Sequence, residues 1–150
     1  MTETTDRRPV SEAAQRGLVR GPTTTELPHA EALALLDSVP IGRVLFSQQA
    51  LPAIRLVNHV VDDQAVVIRT HAGAALLGSA HDGAVVAYEM DEVDLVRRSG
   101  WSVTMTGVAT LVTEPAEQRR YRELVHPCVG GRMDQVVRIS IDYLTGLRLG

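Results

Sequence analysis

Few residues in this sequence could carry out chemistry by type and spacing alone. The run from Glu89 to Asp94 holds four carboxylates, which are the ligands that hard cations prefer. The run lies where a predicted strand ends in a turn, and Arg97 and Arg98 follow it. We therefore expect ion pairing and solvation there and predict no metal site.

A cysteine nucleophile is the second possibility. Cys128 lies beside Pro127 and two residues after His126, but a low thiol pKa needs an electropositive setting that a sequence does not show. We interpret Cys128 as an ordinary loop cysteine. It is the only cysteine, which excludes an intramolecular disulfide and a zinc site built on several thiolates. The sequence also contains no GxSxG motif, no P-loop and no histidine pair at helical metal-ligand spacing.

Composition narrows the class of protein further. The 150 residues suffice for one domain, 45% are apolar, and only 3% are aromatic, so Val, Leu, Ile and Ala must fill the core. With 15 basic and 18 acidic residues and no basic stripe, the chain is not typical of a nucleic-acid-binding protein. No apolar run has the length of a membrane span, and no secretory signal is visible near Met1. We expect a cytoplasmic protein.

The chain divides into a polar tail and one folded domain. Residues 1–25 show no hydrophobic period and are predicted to form a disordered or loosely docked tail, and residues 26–150 form the domain. Apolar spacing predicts helices at His29–Asp37, Ala74–Ser79 and Pro115–Val125, with a loop at His126–Met133. β-Branched runs predict six strands, at Arg43–Ser47, Pro52–Val61, Ala65–Thr70, Ala84–Met90, Trp101–Val112 and Gln135–Ile141.

The strand Trp101–Val112 has the clearest pattern. Apolar residues alternate with Ser and Thr along it, as expected when one face packs on a core. Gly107 interrupts the strand and predicts a bend or bulge that would let it serve two parts of a curved sheet. Because the strands do not alternate with helices, we predict a mainly β, α+β fold with an antiparallel six-stranded sheet closed into a barrel.

The order of these segments resembles a known family. The matching segments extend from Leu27 to Leu149 and include, in order, Ile41–Phe46, Pro52–Asp63, Val66–Thr70 with Gly73, Glu89–Asp94, Ser99–Val103 with Gly107, Val137–Ile139 and Thr145–Gly146. Together they resemble the pyridoxamine 5′-phosphate oxidase-like flavoproteins, in particular their small bacterial branch. The resemblance implies a split β-barrel that forms a homodimer, with FMN bound at the interface.

The resemblance also implies a set of cofactor-binding residues. The isoalloxazine ring would lie beside one strand, at Leu56, Val57, Asn58 and His59. The phosphate would lie near the end of the next strand and its loop, at Arg69, Thr70, His71, Ala74 and Ala75. Two residues of the facing subunit, Trp101 and Ser102, would reach the flavin, and Arg138 is a looser candidate. No catalytic residue is implied.

One departure from the family pattern concerns the phosphate. The family usually has a basic residue just after the glycine of that loop, whereas no Lys or Arg lies between His71 and Ala80 here. Arg69, Thr70, His71 and backbone N–H groups at the start of the predicted helix Ala74–Ser79 could supply donors instead.

The expected activity follows from the cofactor. Bound flavin carries out hydride or electron transfer, which requires no acid–base residues from the protein. We therefore predict an FMN-dependent oxidoreductase acting on a small molecule that the sequence does not identify. Two alternatives remain open at this point: a reductase that uses the deazaflavin F420, and a non-catalytic flavin-binding or structural dimer.

Overall fold

The computed structural model describes residues 21–71 and 74–150, so most of the predicted tail lies outside the described residues. All six predicted strands are present, with bounds that differ by a few residues, and two more strands flank them. In chain order the elements are β1 Thr24–Glu26, α1 His29–Ser38, β2 Ile41–Gln48, β3 Leu51–Asp62, β4 Ala65–Thr70, α2 Leu76–His81, β5 Val85–Asp94, β6 Ser99–Leu111, α3 Pro115–Leu124, β7 Gln135–Ser140 and β8 Tyr143–Leu149.

Six of the strands close into a ring. The order β6-β5-β2-β3-β4-β7 is completed by pairing between β6 and β7, while β8 and then β1 extend the sheet from β6. All of these pairings are antiparallel. The predicted fold, an antiparallel six-stranded split barrel, is therefore confirmed.

Strand β6 shows how one strand serves two parts of the sheet. Trp101, Val103 and Met105 are buried, as their alternation predicts. β6 pairs with β8 as far as Thr106 and with β7 from Ala109 onward. Gly107 lies at this change of partner, where a Cβ atom would collide with the Ser140 carbonyl group. The expectation that this strand serves two parts of the sheet is confirmed, and the close approach of the Ser140 backbone explains why position 107 is a glycine.

The hydrophobic core lies inside the ring and continues outside it under α3. The larger cluster includes Leu36 of α1 and Leu76 of α2. A smaller cluster, which we call the α3 core, consists of Val67, Val112, Tyr121 and Val136. Helix α3 begins as predicted, with Pro115 in its first turn, and the Glu114 carboxylate accepts hydrogen bonds from the backbone N–H groups of Ala116 and Glu117.

Several predicted boundaries were wrong. Strand β1 extends across the predicted end of the tail at residue 25, because Thr24–Glu26 pairs with Leu147–Leu149. Strand β8 was not predicted. Helix α2 begins at Leu76, two residues later than predicted. Within the described residues, no helix is long and apolar enough to cross a membrane.

Candidate functional site

A cavity lies where the barrel splits. The first part of β3, Leu51–Asn58, pairs with β2, whereas only His59–Asp62 pairs with β4. The described pairing between β3 and β4 therefore ends at His59 and Ile68, and the last residues of β4 diverge from β3. A cavity of about 300 Å³ lies between the two separated segments.

The cavity has apolar walls and positive charge. Its lining comes from the end of β2, from β3, from the end of β4 with the loop leading into α2, and from the loop between α3 and β7. The lining residues are Phe46, Gln48, Arg55, Leu56, Val57, Asn58, Arg69, Thr70, His71, Ala74, Ala75, Leu76, Pro127, Val129 and Met133. They include two arginines and no Asp or Glu. The lining therefore favours an apolar ligand that also bears negative charge.

Eight of the twelve residues predicted to bind cofactor line this cavity. They are Leu56, Val57, Asn58, Arg69, Thr70, His71, Ala74 and Ala75. Their roles toward a cofactor stay predictions, but the structure does bring these two separate sequence segments together. Residues of β3 and of the β4–α2 loop thus face the same cavity.

Arg55 is a lining residue that the sequence analysis missed. Its guanidinium lies 5.9 Å from the centre of the Phe46 ring, and its Nη1 donates to the neighbouring Ile54 carbonyl at 2.8 Å. No described carboxylate pairs with it. The sequence feature that could have identified Arg55 is its position as a single cation within the apolar strand 52–61, two residues before Val57.

Arg69 has a different environment, because its guanidinium is bonded to backbone. Nε donates to the Met133 carbonyl at 2.7 Å, and Nη1 donates to the carbonyls of Arg122 and Val125 at 3.0 and 2.9 Å. These bonds occupy three of the five N–H donors of a guanidinium. Arg69 thus joins the end of β4 to both ends of the loop that closes one side of the cavity.

Asn58 makes a similar connection at the middle of that loop. Its Oδ1 accepts a hydrogen bond from the Cys128 backbone N–H at 2.6 Å, and its Nδ2 donates to the Pro40 carbonyl at 3.1 Å. The side chain is 5% exposed, so these bonds satisfy a buried amide. Cys128 itself is exposed.

His59 lies in the core and outside the cavity lining. Its Nδ1 accepts a hydrogen bond from the Tyr88 hydroxyl at 2.5 Å, and Nε2 lies 2.8 Å from the Leu36 carbonyl, which it reaches as a donor in that tautomer. Burial lowers the pKa of His59 and raises that of Tyr88 above its ordinary value. The neutral pair thus joins β3, β5 and α1 directly behind the cavity strand.

Three other predicted residues also lie away from the cavity. Trp101 is 8% exposed and packs in the core of its own chain, and Ser102 is half-buried next to it on β6. Arg138 on β7 donates to the Tyr121 hydroxyl at 2.9 Å and to the Asp63 carbonyl at 3.0 Å. Their predicted cofactor contacts, some of them from a facing subunit, are not tested by a single chain.

The acidic run takes part in ion pairs. Arg43 contacts Glu89 at 2.9 Å and Asp91 at 3.4 Å, and Arg97 contacts Asp94 at 3.7 Å. Ion pairing was the role expected from the sequence, although the pairing with Arg43 of the neighbouring strand β2 was not foreseen. Within the described ranges, no group of three His, Cys, Asp or Glu residues could hold a metal ion.

The family profile for pyridoxamine 5′-phosphate oxidase matches residues 28–148, which include every lining residue of the cavity. The chain belongs to the pyridoxamine 5′-phosphate oxidase family. It is also 50% identical over 128 residues to an uncharacterized protein of Mycobacterium tuberculosis, a match that covers 83% of this chain and 84% of that protein.

Solved structures show the same fold. The FAD-binding protein of Mycobacterium smegmatis matches with a TM-score of 0.64 and 29% identity, over 84% of this chain and 98% of that chain. An FAD-binding protein of Mesorhizobium loti matches with a TM-score of 0.71 over 87% of this chain and 99% of that chain. The latter is only 15% identical and therefore supports the fold alone.

Proposed function

We propose that this protein binds a flavin in the cavity between β3 and β4 and acts as a flavin-dependent oxidoreductase on a small molecule. The observation that carries the proposal is the cavity lining, which combines apolar walls with two arginines and no carboxylate. An isoalloxazine ring needs the first property, and a phosphate needs the second. The FAD-binding neighbour from Mycobacterium smegmatis supports a flavin as the ligand.

The lining residues form two groups, one suited to the flavin ring and one to its anionic group. Leu56, Val57 and Ala75 offer apolar surface for a flat ring. Arg55, the Thr70 hydroxyl and His71 are available for an anionic group. When bound, a flavin supplies hydride or electron transfer, so the protein's own task is to bind it, orient it and exclude water.

FMN is the flavin expected from the sequence, and the neighbour's ligand adds FAD as a candidate. F420 and a non-catalytic flavin-binding role remain alternatives. Titration of the purified protein with riboflavin, FMN, FAD and F420, followed by absorbance and fluorescence, distinguishes the ligands. Oxidation of reduced nicotinamide by the loaded protein then distinguishes an oxidoreductase from a binding protein. The expected cytoplasmic location stays a prediction.

A homodimer is part of the proposal. The outer face of the sheet exposes apolar side chains: the lining residue Leu56 is 51% exposed, Ile54 on the same strand is 56% exposed, and Tyr143, four strands away on β8, is 75% exposed. The register places Ile54, Leu45, Ala87, Thr106 and Tyr143 side by side across five strands. A second copy of the chain would cover this surface and complete the cavity rim at Leu56. Light scattering tests the dimer, and a stable monomer that binds flavin at full affinity would contradict it.

Arg55 provides the sharpest test of the binding site. Arg55→Gln is expected to weaken FMN binding about tenfold, through loss of a charge-assisted contact, while riboflavin affinity stays unchanged because riboflavin has no phosphate. Arg119→Gln, a matched change of an exposed arginine on α3, should leave both affinities unchanged. If the wild-type protein binds none of the four ligands, the proposed function is wrong. Equal loss of FMN and riboflavin binding in Arg55→Gln would argue against a phosphate contact.

A further inference from the structure

We propose that Arg69 is a positioning residue, which holds residues 125–134 in place as a wall of the cavity and acts on ligand affinity through that wall. This inference rests on the proposed function, because the ligand it concerns is the flavin. It changes the role expected for Arg69 from direct phosphate contact to assembly of the site.

The first argument is the geometry of the guanidinium. The three carbonyls it bonds belong to Arg122, Val125 and Met133, so a single side chain fixes the last turn of α3 and both ends of the wall. A planar fork with rigidly spaced donors suits three acceptors in fixed positions, whereas a lysine ammonium on a flexible stem does not.

The second argument is electrostatic. The carbonyls of Arg122 and Val125 lie at the C-terminal end of α3, where helix carbonyls lack intrahelical partners and carry partial negative charge. A cation bonded there is partly compensated and completes the helix end. Its attraction for a phosphate is weaker than that of Arg55, whose guanidinium bonds only the neighbouring Ile54 carbonyl among the described residues.

Two more bonds hold the same wall. Asn58 accepts from the Cys128 N–H at its middle, and Arg122 Nε donates to the Asp134 carbonyl at 2.9 Å at its far end. The side chains that this wall presents to the cavity are Pro127, Val129 and Met133. Because all three are apolar, the wall determines how well a flat apolar ring fits, and phosphate recognition does not depend on it.

A comparison of riboflavin with FMN separates positioning from direct contact. In Arg69→Gln, the affinities for riboflavin and FMN should both fall about tenfold, so that their ratio stays at the wild-type value. Arg69→Lys keeps the positive charge but should not restore binding, because it cannot hold three carbonyls. Arg132→Gln, an exposed arginine in the same segment that pairs with Asp134, is the matched control and should bind both ligands normally.

Amide hydrogen exchange of the ligand-free protein provides a second readout. Exchange in residues 125–134 should become about tenfold faster in Arg69→Gln and Arg69→Lys, because the wall loses its attachment. Residues 101–106 of β6 should exchange at the wild-type rate, which shows that the barrel is intact. Asn58→Ala, which removes only the middle attachment, should give a smaller increase, and Arg69→Lys keeps the test decisive if Arg69→Gln does not fold.

The two readouts fail in different ways. If the wild-type protein binds no flavin, the proposed function is wrong, while the exchange experiment still decides whether Arg69 holds the wall. Wild-type exchange in residues 125–134 of Arg69→Gln and Arg69→Lys would overturn the positioning role. Loss of FMN affinity with unchanged riboflavin affinity in Arg69→Gln, together with rescue by lysine, would overturn it in favour of direct phosphate contact.

Discussion

Two arginines on neighbouring strands lie at opposite ends of the α3 core and have different partners. Arg69 of β4 pairs in register with Val136, and Arg138 of β7 pairs with Val67, so both project from the same face of the sheet, under α3. Arg138 lies near Asp62, whose carboxylate accepts hydrogen bonds from Tyr121 at 2.6 Å and from Arg120 at 2.7 Å. Arg69 has only backbone carbonyls as described partners.

The two ends also differ in that only the Arg69 end of the α3 core borders the described cavity. At the Arg138 end, the Asp62 carboxylate accepts hydrogen bonds from Arg120 and Tyr121, Arg138 donates to the Tyr121 hydroxyl, and these side chains satisfy one another. At the Arg69 end, backbone carbonyls fix the arginine but supply no full negative charge, so a net positive charge remains beside the cavity. The same sheet face and helix α3 therefore form a structural end at Arg138, where the side chains bond to one another, and an open end at Arg69 that is suited to a ligand.

The largest expected effect is a loss of stability on truncation of Tyr121, which lies between the two ends of the α3 core. Tyr121 is 1% exposed and packs against Val67 and Val136. Tyr121→Ala is expected to lower the free energy of unfolding by about 3–5 kcal/mol, because it leaves a cavity and removes the hydroxyl that Asp62 and Arg138 contact. Urea denaturation measures it. Arg119→Ala, on the exposed side of α3, should change stability by less than about 0.5 kcal/mol. A loss below 1 kcal/mol for Tyr121→Ala would mean that α3 does not depend on this core.

Replacement of Arg138 tests whether the Arg138 and Arg69 ends of the α3 core have distinct functions. Arg138→Gln should destabilise the protein by about 1–2 kcal/mol, since the Tyr121 hydroxyl and the Asp63 carbonyl lose a charged donor. Flavin affinity should stay within about twofold of wild type, because the side chain lies outside the cavity lining. Denaturation and flavin titration measure the two effects. A large loss of flavin affinity would support the cofactor contact that the family resemblance implies for Arg138.

The smallest expected effect is the pH dependence of the Asp62 carboxylate. Hydrogen bonds from Tyr121 and Arg120 lower its pKa below the ordinary value. The unfolded chain therefore binds a proton at higher pH than the folded chain, and the carboxylate stabilises the fold above about pH 4. Asp62→Asn should cost no more than about 1 kcal/mol at neutral pH, since the group is partly exposed. That difference from wild type should shrink as the pH falls through the lowered pKa, as measured by denaturation between pH 7 and 3. A difference that does not vary with pH would assign the cost to packing.

The elements that were predicted correctly are those with a strong local signal. Alternation from Trp101 onward predicted both faces of β6, and the glycine at 107 predicted that the strand serves two parts of the sheet. The adjacent predicted strands 52–61 and 65–70 also pair as a tight hairpin, β3–β4, with Asp63 and Gln64 at positive φ in its turn. Strands β1 and β8 were missed because Thr24–Glu26 is short and polar and Gly146 interrupts Tyr143–Leu149. Their conformation depends on pairing with each other and, for β8, with β6.

Only part of the cavity lining was predicted, because only some of its segments have a recognisable local signal. The segments around Leu56 and Thr70 are recognisable from family order, and both line the cavity. Pro127, Val129 and Met133 were assigned to a loop without a role, because nothing local shows which surface a loop covers. Arg55 and Arg69 look alike in sequence, as single cations in apolar strands. Only the positions of the surrounding carbonyls and carboxylates distinguish them.

The sequence by itself determined the strands with clear periodicity, the absence of thiolate and nucleophile motifs, and the family. These properties depend on residue type and spacing along the chain. The tertiary structure decided where the barrel splits, which loop forms the cavity wall, and which arginines have compensated charge. Each of these depends on contacts between residues that lie tens of positions apart, such as Arg69 with Met133 and Asn58 with Cys128. Such contacts form only when the whole sheet has closed, so no local pattern encodes them.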